Sequence, residues 1–529
     1  MTAWPKSFYA FGANLLTAGA EWRLRQKRSA LGAQKRTFAV LTGRLATTAF
    51  WRDAGVAAAM SYNHFQARVA PRGYAQLEPA IARMRRGEAN VLWPGRCAFF
   101  AVAAGTTGGP VKSLPVTGEM LGHFRRAGLD SLLYYTVRVK HAAVFRGRHL
   151  YLGGSTALTP LAEAQPHEAY AGDLSGITTL NLPAWVEKHF YEPGATIARL
   201  ADSPEKLAAL VARTRALDIT LLAGRPHWAL LVAAALRASS GPGTGPITDL
   251  QGLWPNFECF IHGGAPIGPF QDELRAALGP TVKFHEVYPA AEGFIAAQDV
   301  EPGSGLRLLT DVGIFYEFIP MADFDESRLD QLGGKVVPLE DVKTAVDYAL
   351  LLTTPAGLAR YVIGDVVRFT SLEPPRLMYV GRTQLKLDAR GDNVTEKELT
   401  DALVGVCRRN GWSIVNFHVA TMFAHSLTGQ NRRRHEWWVE LRPGTTITPT
   451  GTTLAVELDL ALQKLHGGYA ARRTAGTLEA PAVRLVMPGV FEHWLRFRHK
   501  WGAHYTLPRY SGDRLIADEL AQITRFARN

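Results

Sequence analysis

The chain has 529 residues, too many for one simple core, and its formal charge of +12 is scattered over short clusters with no nucleic-acid motif beside them, so solvated helix faces are expected and no nucleic-acid partner. Its three cysteines, Cys97, Cys259 and Cys407, lie far apart without Cys-x-x-Cys or His-Glu-x-x-His spacing, which points to buried thiols in a reducing compartment and gives a zinc site no support. No apolar run approaches the roughly 18 residues that span a bilayer, and the basic segment follows the apolar stretch 8–20 in the wrong order for a secretory signal; a soluble, cytoplasmic monomer is expected.

Residues 1–70 are rich in Ala, Leu and Arg at helical spacing and predict two or three amphipathic helices. A helix over 74–87 follows, with Pro79 near its start and Gly87 at its end. The apolar run 97–102 reads as a buried strand leading into Ala103-Ala104-Gly105-Thr106-Thr107-Gly108-Gly109-Pro110-Val111-Lys112. Its glycines let backbone approach a ligand closely, and turned N–H groups suit an anion. It is not a Walker A loop, because Lys112 follows Val111 and not a glycine. Tight turns share this composition, so the stretch alone leaves both readings open.

A helix is predicted over 120–127, started by Thr117-Gly118-Glu119, and then apolar segments at 129–137 and 144–152 separated by turns. Helices at 203–217, 228–238 and 271–278 alternate with strands at 218–224, 259–262 and 282–288, the last running into Tyr288-Pro289-Ala290-Ala291-Glu292-Gly293. Strand, glycine turn and helix therefore recur, as in an α/β sheet whose ligands bind outside the carboxyl ends of its strands. After Gly305 the pattern shifts to strands at 306–309, 314–319 and 348–353, with Asp365 in a turn beside the strand around 361–369 and Arg382 ending another. Beyond it, helices at 395–408, 454–465 and 513–526 and strands at 413–419, 437–441 and 483–487 form a small α+β domain, giving domains 1–381 and 382–529.

Taken in order, several stretches resemble the auxin-responsive Gretchen Hagen family of acyl-acid amido synthetases, within the adenylate-forming enzymes. They are Val91 to Gly95 with Gly105 to Gly109, Gly176 to Trp185, Leu221-Leu222-Ala223-Gly224-Arg225-Pro226-His227-Trp228, Tyr288 to Gly293, Tyr361 to Asp365, Gly381-Arg382, and Leu507-Pro508-Arg509. The resemblance implies a ligase with ATP and Mg2+ that converts a carboxylic acid to an acyl-adenylate and passes the acyl group to an amine or amino acid. It implies that Gly105, Thr106, Thr107 and Gly108 cradle phosphate, that Gly263 and Gly264 lie against adenine, and that Tyr288 stacks on it. Glu292 would hold magnesium, Asp365 would accept from the ribose hydroxyls, and Arg382 would sit at a hinge and reach the nucleotide as the small domain rotates. The acyl pocket would lie near 120–127 and 221–228, where His227 replaces a small serine.

Without the family, Glu292 reads as a helix N-terminal acid, Asp365 as a turn acid, Arg382 as half of a surface ion pair and Tyr288 as core packing. The chain also departs from the pattern it resembles. Two serines of the loop are Ala103 and Ala104, the hydroxyl residue before the glutamate is Ala291, and two lysines fall at Asn393 and Thr506. Lys112, Lys386 and Arg390 are the candidates to compensate. A catalytically degenerate nucleotide or acyl-acid binder, and a ligase with coenzyme A as acceptor, stay open beside the amide-forming enzyme.

Overall fold

The computed structural model describes residues 6–25, 30–103, 111–239, 247–264, 266–383, 394–425, 431–442, 449–498 and 507–526. The chain is mixed α/β and divides into two compact units, the second holding residues from 379 onward together with the segment 266–272. The N-terminal region is helical, with Lys6–Arg25, Ala30–Leu45, Ala49–Asp53 and Tyr62–Arg68 where two or three helices were expected. The helix Tyr74–Arg85 stops before Gly87, whose φ of +81° suits a residue without Cβ.

Twelve strands form the main sheet among the described residues. Five lie parallel at one end, in the order Tyr191–Glu192, Arg148–Tyr151, Ile219–Ala223, Cys259–His262 and Lys283–Ala290. The helices Pro204–Thr214, Pro226–Ala238 and Gln271–Leu278 lie between them in the chain. Ile219, Leu221, Leu222, Cys259 and Phe260 are fully buried, the unbroken apolar run of strands covered on both faces. The sheet then continues through Gly293–Ala297, Leu306–Leu308, Pro375–Arg382, Tyr361–Leu372, Asp347–Thr353, Phe315–Pro320 and Val337–Pro338. Pairing is antiparallel on both sides of Gly293–Ala297 and of Asp347–Thr353. A smaller sheet has the order Lys112–Val116, Phe99–Ala103, Tyr170–Gly172 and Thr159–Pro160.

Two local expectations are corrected. Residues 129–137 are not a separate apolar segment but the second half of one helix, Gly118–Val139, capped where Thr117 Oγ1 accepts from the Met120 N–H at 3.1 Å. Its buried residues Met120, His123, Ala127, Ser131 and Tyr134 recur every three or four positions. Asp365 is not in a turn. It lies inside the twelve-residue strand Tyr361–Leu372, where the pairing slips from Ala349↔Val366 to Leu351↔Val362. The extra residues make a β-bulge around Gly364, whose φ is +87°.

In the second unit, Asn431–Leu441 pairs antiparallel with Ile414–His425, flanked by parallel Ala482–Val486 and Tyr510–Ser511. The helices Glu396–Asn410 and Gly451–Leu465 bury Leu399, Leu403, Leu454, Leu458 and Leu462 against Phe417 and Trp437. Thr395 and Glu398 close a capping box at the start of the first, and Gly411, at φ +68°, ends it. The helices Gly467–Thr474 and Val490–Phe497 were not anticipated. Arg509 is buried with its guanidinium carbon 4.7 Å from the Phe417 ring centre and 5.8 Å from that of Phe270, and burial pulls its pKa down to about 10.

Candidate active site

The strand Lys283–Ala290 does not stop at Tyr288. It runs to Ala290 and returns as Gly293–Ala297, with Ala290 opposite Gly293 and only Ala291 and Glu292 between. Glu292 therefore sits at a hairpin tip and not at a helix N-terminus, yet it is 9% exposed. The hairpin is fixed from behind by His123, which sequence reasoning missed. Its Nε2 accepts from the Phe294 N–H at 2.9 Å and its Nδ1 donates to the Val312 carbonyl at 2.9 Å. That pair of bonds needs the neutral tautomer with the proton on Nδ1, and burial holds the imidazole down at about 4. A Cβ on Gly293 would lie 3.6 Å from His123 Nε2 and 2.3 Å from Ile314 Cδ1, so a larger residue there would have to push the tip of Ile314 aside. The signal that could have found His123 is a polar residue in the apolar stripe Met120, His123, Ala127.

The bulge at Gly364 turns Asp365 toward the same strand that carries Tyr288. The Tyr288 hydroxyl donates to Asp365 Oδ2 at 2.6 Å, and both side chains are buried. An ionised carboxylate only accepts, so Asp365 keeps acceptor capacity beyond this bond. Tyr288 and Asp365 are thus brought together from positions 77 residues apart.

Gly263 and Gly264 follow the strand Cys259–His262 at its carboxyl end. A Cβ on Gly263 would come within 2.4 Å of the Val287 carbonyl oxygen and 2.9 Å of Pro289 Cδ. This glycine is therefore required by close packing on the Tyr288 strand. Gly264 has φ +70°, and the Arg225 Nε lies 3.7 Å from where its Cβ would be.

Of the remaining expected residues, Lys112 opens the strand Lys112–Val116 with its ammonium 6.0 Å from the Tyr74 ring centre. Arg382 ends the strand Pro375–Arg382, half-buried, in the second unit. His227 stands in the first turn of Pro226–Ala238, half-buried, 6.4 Å between ring centres from Trp228. Gly105, Thr106, Thr107 and Gly108, and with them Lys386, Arg390, Asn393 and Thr506, lie outside the described residues. Among the described residues no group of three His, Cys, Asp or Glu side chains could hold a metal ion. No helix among them is long and apolar enough to cross a membrane.

The first unit thus holds a glycine wall after one strand, an aromatic ring near the end of the next with the carboxylate of a bulged strand on its hydroxyl, and a second carboxylate at a hairpin tip. The chain is similar to an indole-3-acetic acid-amido synthetase of Oryza sativa subsp. indica, 25% identical over 90% of this chain and 87% of that one. A jasmonoyl–L-amino acid synthetase of Nicotiana attenuata is 33% identical over 28% of this chain and 26% of its own. Among solved structures, a GH3.15 acyl acid amido synthetase shares the fold at a TM-score of 0.72 and 17% identity, covering 96% of both chains. A 2-hydroxyisobutyryl-CoA ligase in a postadenylation state does so at a TM-score of 0.59 and 15% identity, covering 95% of this chain and 92% of that one. The GH3 family N-terminal domain matches residues 21–283, its central domain 307–382 and its C-terminal domain 397–514. With all three present in order along nearly the whole chain, this protein belongs to the GH3 family.

Proposed function

We propose that this chain is an ATP-dependent acyl-acid amido synthetase. The observation that carries the reading is the hydrogen bond from Tyr288 to Asp365, which holds a carboxylate on the hydroxyl of an aromatic residue near the end of the strand Lys283–Ala290. Asp365 accepts from the ribose hydroxyls, for which an acceptor-only group is the right chemistry. Tyr288 offers its ring to adenine while its hydroxyl stays on Asp365, so one bond fixes both contacts. Gly263, pressed on the Val287 carbonyl, leaves a flat backbone wall for the base.

The substrate carboxylate attacks the α-phosphorus of ATP and pyrophosphate leaves. An amine then attacks the acyl carbon and AMP leaves. A divalent ion supplies charge neutralisation on the phosphates when bound. Glu292 is the residue that would hold it, as a single protein carboxylate whose remaining partners come from phosphate and water. The bond from the Phe294 N–H to His123, which steadies the hairpin, supports this reading. Arg382, at the phosphates or ribose, and Gly105 to Gly108, at the phosphates, are assigned on the resemblance alone, and Lys112 is a candidate to compensate for the missing lysines. Buried thiols at Cys97, Cys259 and Cys407 accord with a cytoplasmic protein.

The test is acid-dependent pyrophosphate release with ATP and magnesium, and capture of the activated acyl group as hydroxamate with hydroxylamine. Silence across a broad panel of carboxylic acids overturns the reading. A degenerate binder is the second reading, favoured by Ala291 in the hairpin and Ala103 at a strand end, neither of which offers a hydroxyl. Calorimetric binding of nucleotide or acid without turnover supports it. A thioester formed with coenzyme A, in place of an amide, identifies the third.

A further inference from the structure

The helix Lys6–Arg25 carries two stripes of small and apolar residues on opposite faces, and the rest of the chain covers one of them. Ala13, Thr17, Ala20 and Leu24 recur at helical spacing on the covered face. Ala13 and Ala20 are buried, the Thr17 hydroxyl meets the Thr136 hydroxyl of the helix Gly118–Val139 at 2.9 Å, and Leu24 packs on the apolar cluster that holds Ala127 and Val312. Phe11, Leu15, Ala18 and Trp22 repeat the same spacing two positions earlier. At about 3.6 residues per turn, that offset sets the second stripe about 160° away from the first. This stripe is open to solvent, with Phe11, Leu15 and Trp22 exposed by 61, 60 and 56% and Ala18 exposed between them.

A helix that is apolar on both faces is ordinarily buried between two layers, and large apolar side chains left in a row on a folded chain mark a binding surface. The charge beside the stripe selects the partner. Arg23, Arg25, Lys27 and Arg28 follow Trp22 in the sequence, four cations in six positions. From Lys6 to Arg44 the sequence has eight Lys or Arg and a single acid, Glu21. Lys35 and Arg44 meet Glu340 and Glu119 at the surface, and the run after Trp22 stands closest in sequence to the stripe. A second copy of this segment would set like charges against each other, which disfavours it as the cover. An anionic lipid surface fits both halves of the pattern. Phe, Leu and Trp enter the boundary between headgroups and acyl chains, and Lys and Arg stay with the phosphates. Trp22 stands where the stripe meets the basic run, the place an amphipathic ring takes at a membrane interface.

We propose that the helix Lys6–Arg25 seats the stripe Phe11, Leu15, Ala18 and Trp22 on an anionic phospholipid surface, holding the protein there peripherally. None of these residues enters the nucleotide reading, so the two stand or fall apart.

Flotation of the full chain with vesicles of phosphatidylcholine alone, and of equimolar phosphatidylcholine and phosphatidylglycerol, tests this at low and high salt. The chain should float with the anionic vesicles, be released from them by salt, and float far less with the neutral ones. Phe11→Ser, Leu15→Ser and Trp22→Ser combined should weaken that binding about 100-fold, and Arg23→Gln with Arg25→Gln about ten-fold. The three serines replace exposed side chains, so the thermal midpoint should stay level. Val456→Ser with Leu460→Ser, on exposed apolar positions of the helix Gly451–Leu465, should bind as the unaltered chain does. A chain that ignores the anionic vesicles, equal binding to both vesicle types, binding indifferent to the three serines, or an equal loss in the Val456 and Leu460 variant overturns the proposal. A chain that sediments as a dimer without lipid, and as a monomer with the three serines, also overturns it, because the stripe then covers a second copy.

Discussion

Asp365 accepts the Tyr288 hydroxyl at 2.6 Å across 77 residues of chain. The bond joins a bulged strand to the strand that carries the glutamate hairpin, so the two proposed nucleotide contacts are positioned as one piece. Asp365→Ala removes charge-assisted bonds of about 1.5–3 kcal/mol each, which predicts a KM for ATP raised about 10- to 100-fold. Tyr288→Phe keeps the ring and loses only the orienting bond, so a rise of about 5- to 10-fold is expected. The double variant should resemble Asp365→Ala alone, because the tyrosine acts through the aspartate. Additive losses would show that the two act separately.

Glu292 and His123 give a contrasting pair. Glu292→Gln keeps the size of the hairpin tip and removes its charge. Its expected signature is a kcat lower by about 100- to 1,000-fold, with the magnesium requirement moved to higher concentration. His123→Phe leaves Glu292 in place but orphans the Phe294 N–H, a buried donor that costs about 1–3 kcal/mol. Its thermal midpoint should fall and its activity should recover at low temperature. Recovery in Glu292→Gln on cooling would contradict the assignment of the glutamate to phosphate chemistry.

The parallel half of the sheet was legible because its strands are short apolar runs stopped by glycine, as at Cys259 to Gly264. The helix Gly118–Val139 was cut short because its later residues, such as Leu132, Leu133, Tyr134 and Tyr135, are apolar in a row and mask the helical period. Gly364-Asp365 reads as a turn by composition, and only the pairing on both sides shows a bulge within one strand. His123 could not be assigned from its neighbours, since both its bonds reach residues more than 170 positions away. Arg225 was visible inside a family-like stretch, but nothing local shows that it lies against Gly264.

Away from the site, Arg360 and Glu317 form a fully buried ion pair at 3.1 Å. Arg360 also donates to the carbonyls of Gln66, Val69 and Gly333, and Tyr62 donates to Glu317 at 2.9 Å. Arg360 holds φ +47°, a strained conformation for a residue with a Cβ, which its several bonds over-determine. Arg360→Met leaves Glu317 buried without its cation and three carbonyls without a donor. The expected cost is about 3–5 kcal/mol of stability in denaturant unfolding. Adding Glu317→Leu should recover part of that loss by removing the stranded charge. No recovery would place the whole cost on the three carbonyls.

Acid should unfold the first unit earlier than its carboxylates alone would require. Burial pulls His123 and His149 down to about 4 and His262 and His285 down to about 3, all below the ordinary imidazole value of 6.5. Below that value the unfolded chain takes up protons that the folded chain refuses. The stability these neutral histidines contribute is therefore complete above pH 6.5 and is lost as the pH falls toward 4 and then 3. Glu258 and Glu317 work the other way, since burial raises both and the folded state gains their protons first. Below pH 6.5 the four histidines therefore favour unfolding, and the two glutamates offset part of that uptake. Denaturant midpoints followed by tryptophan fluorescence should fall steadily between pH 6.5 and 4.5. Replacing His285, whose Nε2 meets Ser131 Oγ at 3.0 Å, with glutamine should flatten that slope by about one proton. A midpoint that stays level over this range, or a slope untouched by His285→Gln, would mean that these imidazoles reach solvent.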